Sequence, residues 1–360
     1  MSSQLDIASV RTLRMALGTA LSLWFSQVGN WDMSFIAAVL TMFVLSLPLP
    51  APKLAGGIKF ILALALSVYA GLALLPLILN QRAVGVLLLT LALFGSFYYS
   101  ARGGSAVIGA FSTVGLAVAA AVGSVTIDGA LAAAKGVSIG AVFGIAFVWV
   151  AHALIPDSLA GAPAGPAPVR PPPAPPDAAV ARQNALRSLF IVLPVLLWLL
   201  LSSSSASYVA VMIKVASMGQ QASADRTRQV GKSLLLSTLI GGVAAIIGWE
   251  VLSVWPSLTM YTLLVGLAGL VMGKRIFAGA GMHAAGGTWS YGYLTLLIVL
   301  APAVLDSQSG GTADMAFWSR LLMFVWATVY AIAAVYVFDA FWPSRKAGPD
   351  AAAVGVKDPA

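Results

Sequence analysis

The stretch "PDSLAGAPAGPAPVRPPPAPPDAAVAR", residues 156–182, decides how this chain is organised. Proline has no N–H to donate and a fixed φ, so a run this rich in Pro and Ala neither continues a helix nor packs a core. It reads as a semi-rigid, polyproline-type linker. On either side lie apolar runs separated by short polar turns. Over the 360 residues, 60% are hydrophobic and 9% are charged, whereas soluble domains carry about a quarter charged residues. The chain belongs in a bilayer.

A membrane-spanning helix takes about 20 apolar residues, fewer inside a bundle. Before the linker, spans are expected at 13–27, 33–47, 60–79, 83–99, 105–122 and 136–155. After it they are expected at 186–201, 207–221, 233–249, 258–272, 279–300 and 321–342. The expected fold is an all-α polytopic membrane protein of about 12 transmembrane helices. Residues 1–155 form one six-helix membrane repeat, 156–181 the cytoplasmic linker, 182–343 a second six-helix repeat and 344–360 a cytoplasmic tail. The first apolar run lacks a clear small-residue cleavage site after it and reads as a retained span.

Charge placement orients the spans. With the N-terminus inside, only Arg82, Lys135 and Arg320 fall in outer segments, and every other basic residue except Lys214 falls in inner ones. This positive-inside bias places both termini and the linker in the cytoplasm. The net charge of +8 is thus spent on topology. Without a basic stripe interleaved with aromatics, nucleic acid is not an expected partner. The absence of cysteine excludes disulfides and thiolate metal sites.

The halves match at a constant offset of 173: Leu13-Arg14 falls on Leu186-Arg187, Ser34-Phe35 on Ser207-Tyr208, Lys53 on Arg226, Lys59 on Lys232 and Arg102 on Arg275. Inner loops are basic in any membrane protein, but ungapped matches favour a duplication. Six helices per unit is an even number, which makes the repeats parallel and encloses a pathway between them.

Two stretches, "NWDMSFIAAVLTMFV" at 30–44 and "RQVGKSLLLSTLIGG" at 228–242, resemble those of the fusaric-acid-resistance-like (FUSC-like) membrane proteins. That group includes bacterial aromatic-acid exporters, and plant aluminium-activated malate transporters are similar to it. The residues that carry the resemblance are Trp31 before the second span, Lys59 or Lys232 on the inner side, and Gly241-Gly242. The large cytoplasmic domains of bigger relatives are replaced here by the linker and a short tail. The resemblance implies a bacterial inner membrane, export, and a periplasmic adaptor of the membrane-fusion type as a partner.

Few residues could carry chemistry. "RTRQVGKS" at 226–233 ends like a phosphate-binding loop, but Arg226 stands where the first glycine belongs. "GAGMHA" at 279–284 imitates a dinucleotide fingerprint but reads as small residues packing membrane helices. His152 and His283 lack carboxylates at ligand spacing. An enzyme, a cofactor and a metal site are therefore not expected.

Lys214 differs, because it lies near the middle of an apolar span, too far from either end to reach the headgroups easily. Ser207, Lys214, Ser217 and Gln221 fall on one side of a helix, and Ser34 and Thr41 occupy the matching side of the second span. Those six are the expected substrate-binding residues, with Lys214 either contacting an anion or held structurally by backbone carbonyls. Trp31, Asp32 and Glu250 are candidates for coupling or gating. The bland reading makes Trp31 an interfacial anchor and Glu250 a solvated helix end.

Export of a small organic anion, an aromatic carboxylate above all, is the expected function. A passive anion channel and a non-transporting scaffold stay open as alternatives, and the sequence leaves the oligomeric state open. The charge asymmetry generates one direct test. A reporter fused into the linker should read cytoplasmic, and a periplasmic signal would reverse the orientation of every span.

Overall fold

The computed structural model describes residues 5–123, 126–160, 177–201, 209–224, 230–308 and 313–342. Twelve α-helices run through them. Before the linker lie α1 (Ile7–Gly29), α2 (Phe35–Leu45), α3 (Leu54–Asn80), α4 (Arg82–Ala101), α5 (Ala106–Gly123) and α6 (Ile127–Leu154). After it come α7 (Ala178–Leu201), α8 (Val209–Ala224), α9 (Val230–Val254), α10 (Leu258–Ile276), α11 (Gly286–Gln308) and α12 (Ala313–Phe341). Seven of them, α3, α4, α6, α7, α9, α11 and α12, are long and apolar enough to cross a membrane. The protein is an all-α, multi-pass membrane protein.

Burial explains why some helices are short. Ten of the eleven side chains of α2 are buried, and in α8 every side chain from Ala210 to Ala222 is. A helix that is apolar all round and covered all round belongs to the interior. Outer helices instead show rows of exposed Leu and Val, such as Leu62 and Leu66 on α3 or Leu87 and Leu91 on α4. These rows are the expected lipid face. At the centre, α5 packs on α8 and α11 on α2, with Phe43 meeting Phe111 edge-on at 5.2 Å and Tyr291 at 6.0 Å.

Helix ends follow local chemistry. The Thr126 side chain accepts from Gly129 N–H at 3.1 Å to start α6, and Asp128 favours the positive end of its dipole. Ser257 caps α10 in the same way, accepting from Met260 N–H.

The span expected at 279–300 begins later. Residues 277–282 form a two-rung hairpin, β1 (Phe277–Ala278) paired with β2 (Gly281–Met282). Its turn holds Gly279 at φ +52°, which glycine adopts without strain. The "GAGMHA" run is therefore a turn and not a helix-packing surface. The last span starts earlier than expected, at Ala313, because Asp314 in its first turn accepts from Trp249 Nε1 at 2.7 Å.

The edges of the linker are also more structured than Pro and Ala content suggests. Residues 161–176 lie outside the described residues. Asp157–Leu159 forms a 3-10 turn, Ala160 pairs with Leu5, and α7 already begins at Ala178. The reading of all of 156–181 as neither helical nor packed is thus corrected at both ends. Asp157 is held by Arg14, and the Asp177 carbonyl accepts the N–H of Ala181 to open α7.

Between membrane helices the lipid is as apolar as the core, so close backbone approach at small residues carries much of the association. Gly136, Gly140 and Gly144 of α6 lie against Asp32, Ile36 and Leu40 along α2. Gly241 of α9 faces the Gly292 carbonyl of α11, where a Cβ would fall inside contact distance of that oxygen and of Thr295. Gly241→Ala should therefore destabilise the protein by about 1–3 kcal/mol. Gly95→Ala, where nothing lies within 4 Å, should leave stability unchanged or slightly raised. Melting temperatures of the two variants in one detergent separate these outcomes.

Candidate functional site

The side chain of Lys214 is fully enclosed, 1% exposed, near the middle of α8. Its ammonium donates to Thr295 Oγ1 on α11 at 2.7 Å, and Thr295 in turn donates to the Tyr291 carbonyl at 2.8 Å. An ammonium carries three donors. The ion pairs among the described residues join Arg14 with Asp157, Arg187 with Asp339 and Arg320 with Asp306, and none of them includes Lys214.

The neighbours of Lys214 form a chain of polar contacts inside the bundle. Ser217 Oγ donates to the Lys214 carbonyl at 2.6 Å, so its hydroxyl is used within α8. Gln221 Nε2 donates to Ser233 Oγ on α9 at 2.7 Å, and Ser233 lies 2.8 Å from Thr288 Oγ1 on α11. Gln220, one residue round the helix, donates to Thr113 Oγ1 on α5 at 2.9 Å. Ser290 Oγ on α11 donates to Ser46 Oγ at the end of α2. Side chains on α8 therefore bind α5, α9 and α11 through buried hydroxyls.

Lys214 and Gln221 reach α11 and α9 of their own half. The Thr41 hydroxyl lies 2.8 Å from the Ala37 carbonyl, 3.1 Å from the Gly144 carbonyl and 3.0 Å from Ser22 Oγ. The Thr41 hydroxyl is thus satisfied by α1, α6 and its own helix. Ser34, buried at the start of α2, accepts from Gln27 Nε2 at 3.3 Å. Ser207 lies outside the described residues.

The gating candidates are scattered. Trp31 stacks on Phe143 at 5.3 Å beside Phe25, in an aromatic cluster between α1, α2 and α6, while its indole N–H is buried without a partner. Asp32 and Glu250 are exposed. A cavity of about 520 Å³ lies between α9, α10 and α11, and none of the nine candidate residues lines it.

Buried charge elsewhere went unassigned in the sequence reading. Arg14, 3% exposed, donates to Asp157 Oδ1 at 2.5 Å and to the Ile155 carbonyl at 2.9 Å. Arg187, 6% exposed, donates to Asp339 Oδ2 at 2.7 Å. In both halves a buried arginine in the first helix grips an aspartate at the end of the sixth or in the turn just after it. The signal was present, since Arg14 and Arg187 match at offset 173 and an arginine inside a span demands a carboxylate.

Residues 11–151 match the profile of a family described as "Protein of unknown function (DUF2955)". The match begins within α1 and ends in the last turn of α6. No curated protein and no solved structure matches the chain.

The arginine clasp is testable by stability. Asp339→Ala strands a buried guanidinium whose Nε already lacks a partner. A hydrogen bond to a charged group contributes about 1.5–3 kcal/mol, so the melting temperature should fall clearly. Arg187→Met removes the charge together with its need and should cost less. The reverse order of the two variants would show that the clasp does not hold the helix ends.

Proposed function

We propose that this protein is a secondary transporter that exports a small organic anion, an aromatic carboxylate in the first instance, with Lys214 as the anion-contacting group. The observation that carries the reading is the burial of Lys214 with one neutral hydrogen-bond partner and no carboxylate at ion-pair distance among the described residues. A lysine at the centre of a span costs about 2.5–3.5 kcal/mol on insertion scales. A substrate carboxylate would offset that cost when α8 and α11 part far enough to admit it.

Several features support two parallel six-helix repeats, twelve spans and a pathway between the halves. Contacts recur in pairs: α1 packs on α10 as α7 packs on α4, and α5 packs on α8 as α11 packs on α2. The two arginine clasps occupy matching places. The family match ends where the first six helices end. On this reading the short helices α2 and α8 are spans as well, sheltered from lipid by their neighbours. The FUSC-like resemblance, an inner-membrane location with cytoplasmic termini and a periplasmic adaptor belong to the same proposal. Asp32 and Glu250, exposed at helix ends, are its candidates for ion coupling.

One observation favours a different reading. Thr295 meets the ammonium directly and dense side chains surround it, as for a structural lysine in a membrane scaffold. Transport by charge variants separates the two. Uptake of radiolabelled benzoate and salicylate into everted vesicles under a proton gradient should persist in part for Lys214→Arg. For Lys214→Gln it should fall roughly 10- to 150-fold, the equivalent of about 1.5–3 kcal/mol of charge-assisted contact. Lys214→Glu should abolish it, with all three variants present in the membrane near wild-type level. Normal transport by Lys214→Gln would make the lysine structural. Transport that survives collapse of the proton gradient and follows the anion gradient would make the protein a channel.

A further inference from the structure

The cavity between α9, α10 and α11 is independent of Lys214 and opens sideways. Its walls are Leu239, Val243 and Ile247 of α9 and Leu267 and Val271 of α10, each half or more exposed, with Trp289 of α11 on its floor. In a bilayer this opening faces acyl chains. In the first half, α3 and α4 pack against one another along more of their length than α9 and α10 do, with Gly85 pressed on the backbone of Ile78.

One end of the groove is basic. Arg275 Cζ stands 6.0 Å from the ring centroid of Trp289, over the floor. Lys274 is exposed in the last turn of α10. Lys232 is exposed on α9, on the face that continues through Leu236, Leu239, Val243 and Ile247. Because α9 and α10 are antiparallel neighbours, all three cations gather at the same end. From Leu239 to Gly248 the groove runs about 13 Å at 1.5 Å per residue, close to the ~15 Å hydrocarbon depth of one leaflet.

We infer that this groove is a binding site for one anionic phospholipid, its acyl chain lying between α9 and α10 and its phosphate among Lys232, Lys274 and Arg275. Charge decides the class of occupant. An apolar helix of a partner would fill the groove but leave three cations unmatched, whereas an anionic lipid answers both the groove and its rim. The Trp289 ring sits where acyl chain gives way to headgroup, the depth that tryptophan favours. The bound lipid would wedge α9 from α10 and so hold α11, which carries Thr295, in place.

Native mass spectrometry of the full-length protein in neutral detergent tests this, with phosphatidylglycerol and phosphatidylcholine of matched chains titrated in parallel. One phosphatidylglycerol should be retained per chain, in preference to phosphatidylcholine. A basic side chain near the membrane surface strengthens anionic-lipid binding roughly fivefold. Lys274→Gln together with Arg275→Gln should therefore weaken phosphatidylglycerol binding about 25-fold. Ala268→Trp, which fills the groove, should displace the lipid, and Ala244→Leu provides the milder version if the bulkier variant fails to fold. Equal retention of the two lipids, or unchanged occupancy in the charge-neutral and filled variants, would overturn the proposal. So would a mass of two chains without lipid, which would make the groove a dimer contact.

Discussion

A membrane interior gives apolar side chains no reason to prefer a neighbouring helix over lipid, so the bundle depends on its few buried polar ties. The two arginine–aspartate clasps are the strongest of these. Each joins a first helix to the end of the sixth or the turn just after it. The arginines are almost wholly buried, whereas the aspartates that hold them are partly exposed. Arg14 adds a bond to the Ile155 carbonyl, whereas Nε of Arg187 is buried without a partner. The clasp at Arg14 also recruits the edge of the linker, which is why Pro156–Ala160 belongs structurally to the first half.

Glycine adds close packing to the clasps. The row Gly136, Gly140 and Gly144 lets α2 lie along α6 so closely that α2 has no lipid face left. An interior helix of this kind does not need the length or the apolar run of a lipid-facing span. Its polar groups instead must find partners inside. Thr41, Ser46, Gln220 and Gln221 all do so.

Much of this was legible in the sequence. Twelve helices lie at or near the twelve expected positions, because apolar runs bounded by basic turns leave little freedom. Helix starts were less legible: α6, α7 and α12 begin eight or nine residues before the expected spans, and α11 begins seven after, where Gly279 turns the chain into a hairpin. The site was legible in part. Lys214 stands out in any hydropathy scan, but its partner Thr295 is a lone hydroxyl in an apolar run, which helices tolerate freely by bonding their own carbonyls. The direction of the Lys214 face could not be read either, since an interior helix has no lipid side to set the sense of a polar stripe. Arg14 and Arg187 were visible as matched positions, yet the aspartates they choose are not matched at the same offset. Only the folded chain brings these ends together.

Thr41 and Lys214, matched at offset 173, show what separates the halves. In the first half the position holds a hydroxyl that satisfies itself between α1 and α6, which allows α2 to seal. In the second it holds a long cation, which no carbonyl of its own helix can reach and which therefore must look across to α11. On the proposed duplication, one copy of the position kept the packing role and the other gave it up for charge. The same half carries the looser α9–α10 pair and the basic groove. Lys214 meets one neutral partner, Thr295, on a helix next to α9, whose packing on α10 is loose. On the proposed function, the equilibrium in question is between α8 and α11 closed and parted. A ligand can shift that equilibrium only by its difference in affinity for the two states, and an anion that meets the Lys214 charge only when α8 and α11 part has such a difference.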